Sequence, residues 1–216
     1  MKDLIVYGTG LIAEVAEFFF RTDSDYRIVA FTNAGEFIRE DNFSGRPVVP
    51  FEELETSHPP AEHEIFVAVG YLKTNKVRQA RYLQAKEKGY VCATYISSHA
   101  TYFSTAVGDN CFILENNVVQ PFVRIGNNVT LWSGNHIGHH SIIRDHCYIS
   151  SHVVISGRCD IGENCFLGVN SSVRDNTKLG PFVVVSPGAV VMKDCEERTV
   201  VQSAESIYRV IKRDVL

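Results

Sequence analysis

Residues 134–152 read GNHIGHHSIIRDHCYISSH and hold five of the chain's eight histidines: His136, His139, His140, His146 and His152. The isoleucines between them matter more for the fold, because Ile137, Ile143 and Ile149 stand six residues apart. Followed outward, the step continues as Val107, Ile113, Val119, Ile125, Leu131 before them and Ile155, Ile161, Leu167, Val173, Leu179, Val185, Val191 after them. Fifteen consecutive hexads open with Leu, Ile or Val. If such residues filled a quarter of positions, chance agreement would be about one in a billion.

The other hexad places have their own grammar. The fifth is small or slim throughout, from Cys111, Asn117 and Val123 to Val183 and Ala189, and it takes four of the six cysteines. An aliphatic and a small residue that both point inward fit a parallel β-helix with three faces per 18-residue coil, coils stacking at about 4.8 Å. Fifteen hexads make five coils, with those cysteines as core filler. The fourth place is the corner, and eleven of its fourteen occupants are Asn, Gly or His, residues that tolerate positive φ.

Phase divides the histidines. His140, His146 and His152 share the corner place on three successive faces, so they point three ways, and no two of the five are 18 residues apart. One chain cannot gather them around an ion, and no metal is expected. His146 and His152 read as corner residues with solvated rings, and His136 as an outward face residue that could line an interface. His139 alone sits at the third place, just before a corner, where a side chain leaves the prism and is available for chemistry.

The first hundred residues alternate differently. LIVY (4–7), RIVAF (27–31), EIFVAVG (64–70) and YVCATYI (90–96) read as strands. Residues 11–20 read as a helix, as does KTNKVRQARYLQAKEKG, capped near Thr74 and stopped by Gly89. This spacing predicts a small parallel α/β domain over 1–100, then the β-helix over 101–195 and a C-terminal tail over 196–216 packed on it. Residues 35–63 hold four of the seven prolines and read as loop-rich. The turn GTGLIA (8–13) follows a strand, and its glycines let backbone amides and a helix N-terminus approach a phosphate. NAD binding would want an acidic residue after the second strand, where VAFTNAG supplies Thr32 and Asn33.

Bulk composition narrows the function classes. A net charge of −4 offers no basic footprint for nucleic acid or anionic membrane. No apolar run approaches a membrane span, and MKDLIVYGTG enters a strand directly, so a cytoplasmic protein with reduced thiols is the expectation.

The hexad array with IVYGTGLIAEVAEFF before it resembles the hexapeptide-repeat sugar acetyltransferases, the group of sialic acid O-acetyltransferases and nucleotide-amino-sugar N-acetyltransferases. FVAVG before a basic helix, IGHHSII and IGENCFLGVNSSV carry the rest of the resemblance. It implies an N-terminal half-Rossmann domain followed by a left-handed parallel β-helix, a homotrimer, and acetyl-CoA as co-substrate in the groove between neighbouring β-helices. It also implies a histidine general base, matched by His139, with an acidic neighbour that is here His140. Asp145 or a backbone carbonyl is the alternative orienting group. An imidazole can take a proton from an amine at neutral pH and return it to the departing CoA sulfur.

Further site assignments follow from the same resemblance. Ser156 and Gly157, one coil beyond Gly138 and His139, with Gly168 and Asn170, are candidates for cradling the pantetheine. Gly8, Thr9, Gly10, Thr32 and Asn33 are candidates for holding the nucleotide of a sugar substrate. In the resembling family the second strand commonly ends in acidic residues, and a Gly-x-Pro-Ala-Lys stretch lies near the adenine of CoA. Here Gln202, Ser203, Ala204 and Glu205 stand there, so those contacts do not carry over.

The expected function is acetyl transfer from acetyl-CoA to the amine of a nucleotide-linked amino sugar. O-acetylation of a sialic-type hydroxyl is the alternative within enzymes, and a non-catalytic nucleotide-sugar-binding scaffold the alternative outside them. A γ-type carbonic anhydrase fits poorly, because the histidine phases are wrong within one chain. A trimer is expected also because a lone prism would expose its outward faces, including Trp132.

Overall fold

A computed structural model of the chain describes residues 2–104 and 106–204. The N-terminal unit runs β1 (Lys2–Tyr7), α1 (Leu11–Thr22), β2 (Tyr26–Asn33), β3 (Asn42–Phe43), β4 (Arg46–Pro50), α2 (Leu54–Ser57), β5 (His63–Val67), α3 (Lys76–Glu87) and β6 (Val91–Cys92). Its sheet has the order β3-β4-β2-β1-β5-β6, with only the β3–β4 pair antiparallel. The chain builds outward from β1 through β2 to β4, then crosses back to β5. That leaves a crevice beyond the carboxyl ends of β1, β2 and β5, where open α/β sheets bind ligands.

Within the loop-rich stretch 35–63, β4 is a true sheet strand paired along Phe31–Asn33. Prolines at both its second and last positions hide it, yet each is tolerable near a sheet edge. YVCATYI is also not one strand. Val91–Cys92 closes the α/β sheet, and Tyr95–Ile96 opens the first rung of the prism.

From there every hexad contributes a two-residue strand, and each pairs in parallel with the strand 18 residues away. The strands form three sheets of seven, six and five strands. The first face presents Phe112, Thr130, Tyr148, Phe166 and Val184 outward, the second Val118, His136, Val154, Ser172 and Val190, the third Arg124, Ile142, Asp160 and Lys178. All fourteen fourth-place residues have positive φ, including Phe122 (67°), Arg158 (58°) and Phe182 (59°). Corner geometry thus overrides residue preference, while Asn, Gly and His make it cheaper. The interior is the aliphatic first place and the small fifth place, with Cys111, Cys147, Cys159 and Cys165 buried as free thiols.

Corner phase separates three columns. Asn110, Asn128, His146, Asn164 and Phe182 lie between the third and first faces; Asn116, Gly134, His152, Asn170 and Gly188 between the first and second; Phe122, His140, Arg158 and Asn176 between the second and third. The N-terminal unit covers the first face and the first of these columns. On α1's side of the sheet, Phe20, Phe66, Tyr95 and Phe112 join one apolar cluster, and Trp132 packs against it with Nε1 donating to the Tyr148 hydroxyl. Trp132 is therefore half-buried within the chain and is no free face residue.

Helix α3 docks on the prism through polar side chains. Arg78, fully buried, donates to Thr130 Oγ1 (2.5 Å), His146 O (2.7 Å) and Cys147 O (3.0 Å), and desolvation lowers its pKa to about 10. Asn75, also buried, donates to Asn164 O (3.0 Å) and Cys165 O (3.1 Å). The N-cap of α3 is Asn75, next to Thr74 as expected, but it makes no side-chain cap bond, because its amide serves the prism instead of the helix. Lys73, Thr74 and Asn75 all have φ between 51° and 64°. Such a run costs about 1–2 kcal/mol per residue and persists only where its surroundings fix it.

This docking also corrects the reading of His146 as a solvated corner. The residue is 6% exposed, and its ring pairs with Asn128 Nδ2 at 3.0 Å and meets Tyr82 edge-on. His152 does remain exposed. The described part of the C-terminal tail adds Val200–Val201 to the first face, and residues 205–216, Glu205 included, lie outside the described residues.

Candidate active site

His139 and His140 project from the corner between the second and third faces, and both are exposed. The φ of 61° at His140 turns the chain sharply, so consecutive rings meet at 89° with their Nδ1 atoms 3.1 Å apart. Two imidazoles joined through Nδ1 share one proton. With it on His139, His139 Nε2 keeps a lone pair and His140 acts as acceptor, the part a carboxylate would otherwise take. The His139 amide donates to Gln120 Oε1 at 2.9 Å, and the His140 ring lies 4.6 Å from that of Phe122. Gln120 and Phe122 carry no sequence signal beyond their places in the repeat.

Asp145 does not orient His139. It lies one face further on, before the corner covered by α3, where it accepts from the Asn127 amide at 2.8 Å. Gly157 does meet His139: a Cβ there would stand 2.9 Å from both Cε1 and Nε2 of the ring. The Gly157 N–H donates to no group among the described residues. Ser156 lies at the same corner, its carbonyl accepting from Ser141 Oγ at 3.0 Å. Gly168 and Asn170 stand at the corner between the first and second faces, so one chain does not bring all four together. Gly168 is also required by packing, since a Cβ would come 2.6 Å from Pro187 N.

The second candidate region is the crevice at the carboxyl ends of β1, β2 and β5, a cleft of about 650 Å³. Gly8, Thr9, Gly10 and Asn33 line it, while Thr32 does not: it is fully buried and donates to Val49 O at 2.7 Å. Asn33 braces the glycine turn, with Nδ2 3.3 Å from Thr9 Oγ1. The two glycines differ in cause. Gly8 has φ 126° and a Cβ there would press on Ala68 O at 2.8 Å, so the fold needs it. Gly10, the residue before α1, has ordinary φ and open space where a Cβ would be. Nothing in the packing of the described residues requires a glycine at Gly10.

The cleft and the histidine pair lie on opposite sides of the molecule. The N-terminal unit covers the first face, and the His139 corner is the one between the other two. His136, His139, His140, His146 and His152 are likewise spread over a face and all three corners. Among the described residues no three His, Cys, Asp or Glu side chains come together as an ion site. No helix among them is long and apolar enough to cross a membrane.

Residues 104–139 and 123–157 match the bacterial transferase hexapeptide (six repeats), and residues 160–193 the hexapeptide repeat of succinyl-transferase. No curated protein is similar in sequence. Among solved structures, the chain is similar to a histidine-to-asparagine mutant of perosamine N-acetyltransferase from Caulobacter crescentus in complex with CoA and GDP-perosamine. That match has a TM-score of 0.82 at 21% identity, covering 93% of both chains. The acetyltransferase domain of PglB from Neisseria gonorrhoeae matches with a TM-score of 0.79 at 23% identity, over 93% of this chain and 96% of that one. WeeI from Acinetobacter baumannii matches at 0.70 and 16% identity, over 93% and 96%. Residues 104–193 are thus hexapeptide repeats of the bacterial transferase kind, and the chain has the left-handed β-helix fold of the hexapeptide-repeat sugar acetyltransferases.

Proposed function

We propose that the protein transfers an acetyl group from acetyl-CoA to the amine of a nucleotide-linked amino sugar, with His139 as general base. The observation that carries this reading is the exposed His139–His140 pair, joined through Nδ1, with the His139 ring against Gly157. The amine nitrogen attacks the thioester carbonyl carbon while His139 Nε2 accepts its proton. The Gly157 N–H stabilises the oxyanion of the tetrahedral intermediate. As the C–S bond breaks, the proton passes from His139 to the sulfur, leaving an amide and free CoA. His140 acts as a positioning residue, holding the His139 ring through Nδ1.

The separation of cleft and base favours a site made between copies of the chain. A nucleotide held in one copy's cleft would present its sugar to a neighbour's His139, and acetyl-CoA would lie between prisms. Gly157 and Ser156 of one copy would then face Gly168 and Asn170 of the next, consistent with a homotrimer. The ligands of the similar structures, CoA with GDP-perosamine in one and acetyl coenzyme A in a PglB acetyltransferase domain, support this pairing of substrates. Gly10, open where packing asks nothing of it, supports the cleft as the nucleotide site. A cytoplasmic location, where acetyl-CoA is made, belongs to the same proposal.

Free-thiol release from acetyl-CoA, measured against UDP-, GDP- and dTDP-linked 4-amino sugars and against sialic acid, tests the reading. Turnover with an amino sugar and an N-acetyl product by mass spectrometry is expected. Turnover with sialic acid alone would replace it with O-acetylation, and nucleotide-sugar binding without thiol release would replace it with a binding scaffold.

A further inference from the structure

The cleft lining contains no aspartate or glutamate, and Arg81 is its one charged residue. Arg81 comes from α3, whose two sides do different work. Arg78, Tyr82 and Ala85 are buried against the rest of the protein, while Val77 and Arg81, four residues apart, look into the cleft. Arg21, Arg27 and Arg46 of the same unit are each paired with a carboxylate. Arg81 forms no ion pair among the described residues.

Its guanidinium is nonetheless held in place. The carbon at its centre lies 5.9 Å from the centre of the Tyr7 ring, and Nη1 donates to Gln84 Oε1 at 2.9 Å. That leaves the other face of the fork to donate elsewhere. Tyr7 itself lines the cleft at 2% exposure, and its hydroxyl is buried with no hydrogen-bond partner among the described residues. The Ala34 amide beside it is already given to Asn33 Oδ1 at 3.0 Å. Across the cleft stands the N-terminus of α1, a 12-residue helix whose cap residue, Gly10, offers no side chain. The Ala13 and Glu14 amides donate to the Gly10 carbonyl, while those of Leu11 and Ile12 donate to no group among the described residues. The rim is apolar, with Leu11, Phe37 and Leu72 at 78%, 51% and 67% exposure.

We infer that Arg81 is a specificity-determining residue that grips the diphosphate of the nucleotide-linked substrate opposite the α1 amides, while the apolar rim receives the base. This rests on the nucleotide reading of the cleft given above. Two walls that each present donors, one of them a forked cation, select a group with two phosphates over one with none. The neutral end of β2, Asn33 in place of a carboxylate, adds no repulsion to that group.

Calorimetric titration with UDP, GDP and dTDP, and with uridine, guanosine and thymidine, tests the assignment on the full chain. Arg81→Gln is expected to weaken the tightest diphosphate by about 10- to 100-fold and to leave its nucleoside within about twofold. Arg81→Lys should fall between, because it keeps the charge and loses the fork. Lys76→Gln, which removes a cation from the same helix outside the cleft, should leave binding unchanged. Unaltered diphosphate affinity in a folded Arg81→Gln protein overturns this role and leaves the nucleotide reading standing. Failure of the unsubstituted protein to bind any of the three diphosphates overturns both. Should Arg81→Gln not fold, Arg81→Lys decides: affinity equal to that of the unsubstituted protein removes the forked grip.

Discussion

Replacing Gly157 by alanine separates catalysis from stability at one atom. Gly157 has ordinary φ, so the backbone accepts alanine, and restricting the unfolded chain adds about 0.4–1 kcal/mol of stability. The added Cβ would stand 2.9 Å from His139 Cε1 and Nε2, whereas ordinary contact begins at 3.4 Å. The ring must therefore retreat by about 0.5 Å, the difference of those distances, and it is exposed enough to do so. Moving away strains the 3.1 Å bond to His140 and shifts Nε2 from the position in which it would take the proton. Misplacement by about 1 Å can cost around 10²-fold, so Gly157→Ala should lower kcat by about 10- to 100-fold. The melting temperature should move by no more than a few degrees. Steady-state thiol release and a thermal melt, run on the same preparation, check both halves. Turnover equal to that of the unsubstituted protein would show that the His139 ring does not work from this position.

His140→Asn suits the positive φ of its corner, so it should fold normally while lowering kcat by about tenfold or more at unchanged KM for acetyl-CoA, read by initial rates. His140→Glu, which supplies a fixed acceptor, should recover part of the loss. Arg78→Met leaves Thr130 Oγ1 and the His146 carbonyl without the guanidinium donor, while the Cys147 carbonyl keeps the Thr130 amide, and should cost roughly 2–4 kcal/mol in urea unfolding despite relieving a buried charge. Burial lowers the pKa of His146 from 6.5, so between its folded and unfolded pKa values the unfolded chain binds more protons. Its contribution is complete above about pH 6.5 and is lost as pH falls below that. The stability gap between the protein and His146→Asn should therefore narrow from pH 7.5 to 5.5, and a constant gap would refute a neutral buried ring.

The prism was legible because a hexad repeats its instructions: the aliphatic place, the small place and the corner each recur in phase, and all fourteen corners turn as that phase requires. Phase also singled out His139 and separated it from His146 and His152. It could not reveal which corner another element covers. His146 and His152 hold the same place in the repeat, and only the docking of α3 makes one buried and the other exposed. That docking was itself hidden, because α3 approaches through Arg78 and Asn75, residue types that a sequence pattern assigns to solvent. Thr32 ends a strand as expected, but alternation turns its hydroxyl into the sheet and away from the cleft. Arg81 went unnoticed for a related reason. One of two arginines on a basic helix has no distinguishing pattern until the glycine turn faces it.

The central claim is that His139 moves the proton during acetyl transfer. Its most direct test is single-turnover acetyl transfer by His139→Asn on a substrate the unsubstituted protein turns over, with acetyl-CoA affinity measured alongside. The account predicts a rate lower by about 10² to 10⁴ with acetyl-CoA affinity nearly intact. A single-turnover rate within twofold of the unsubstituted protein would contradict it.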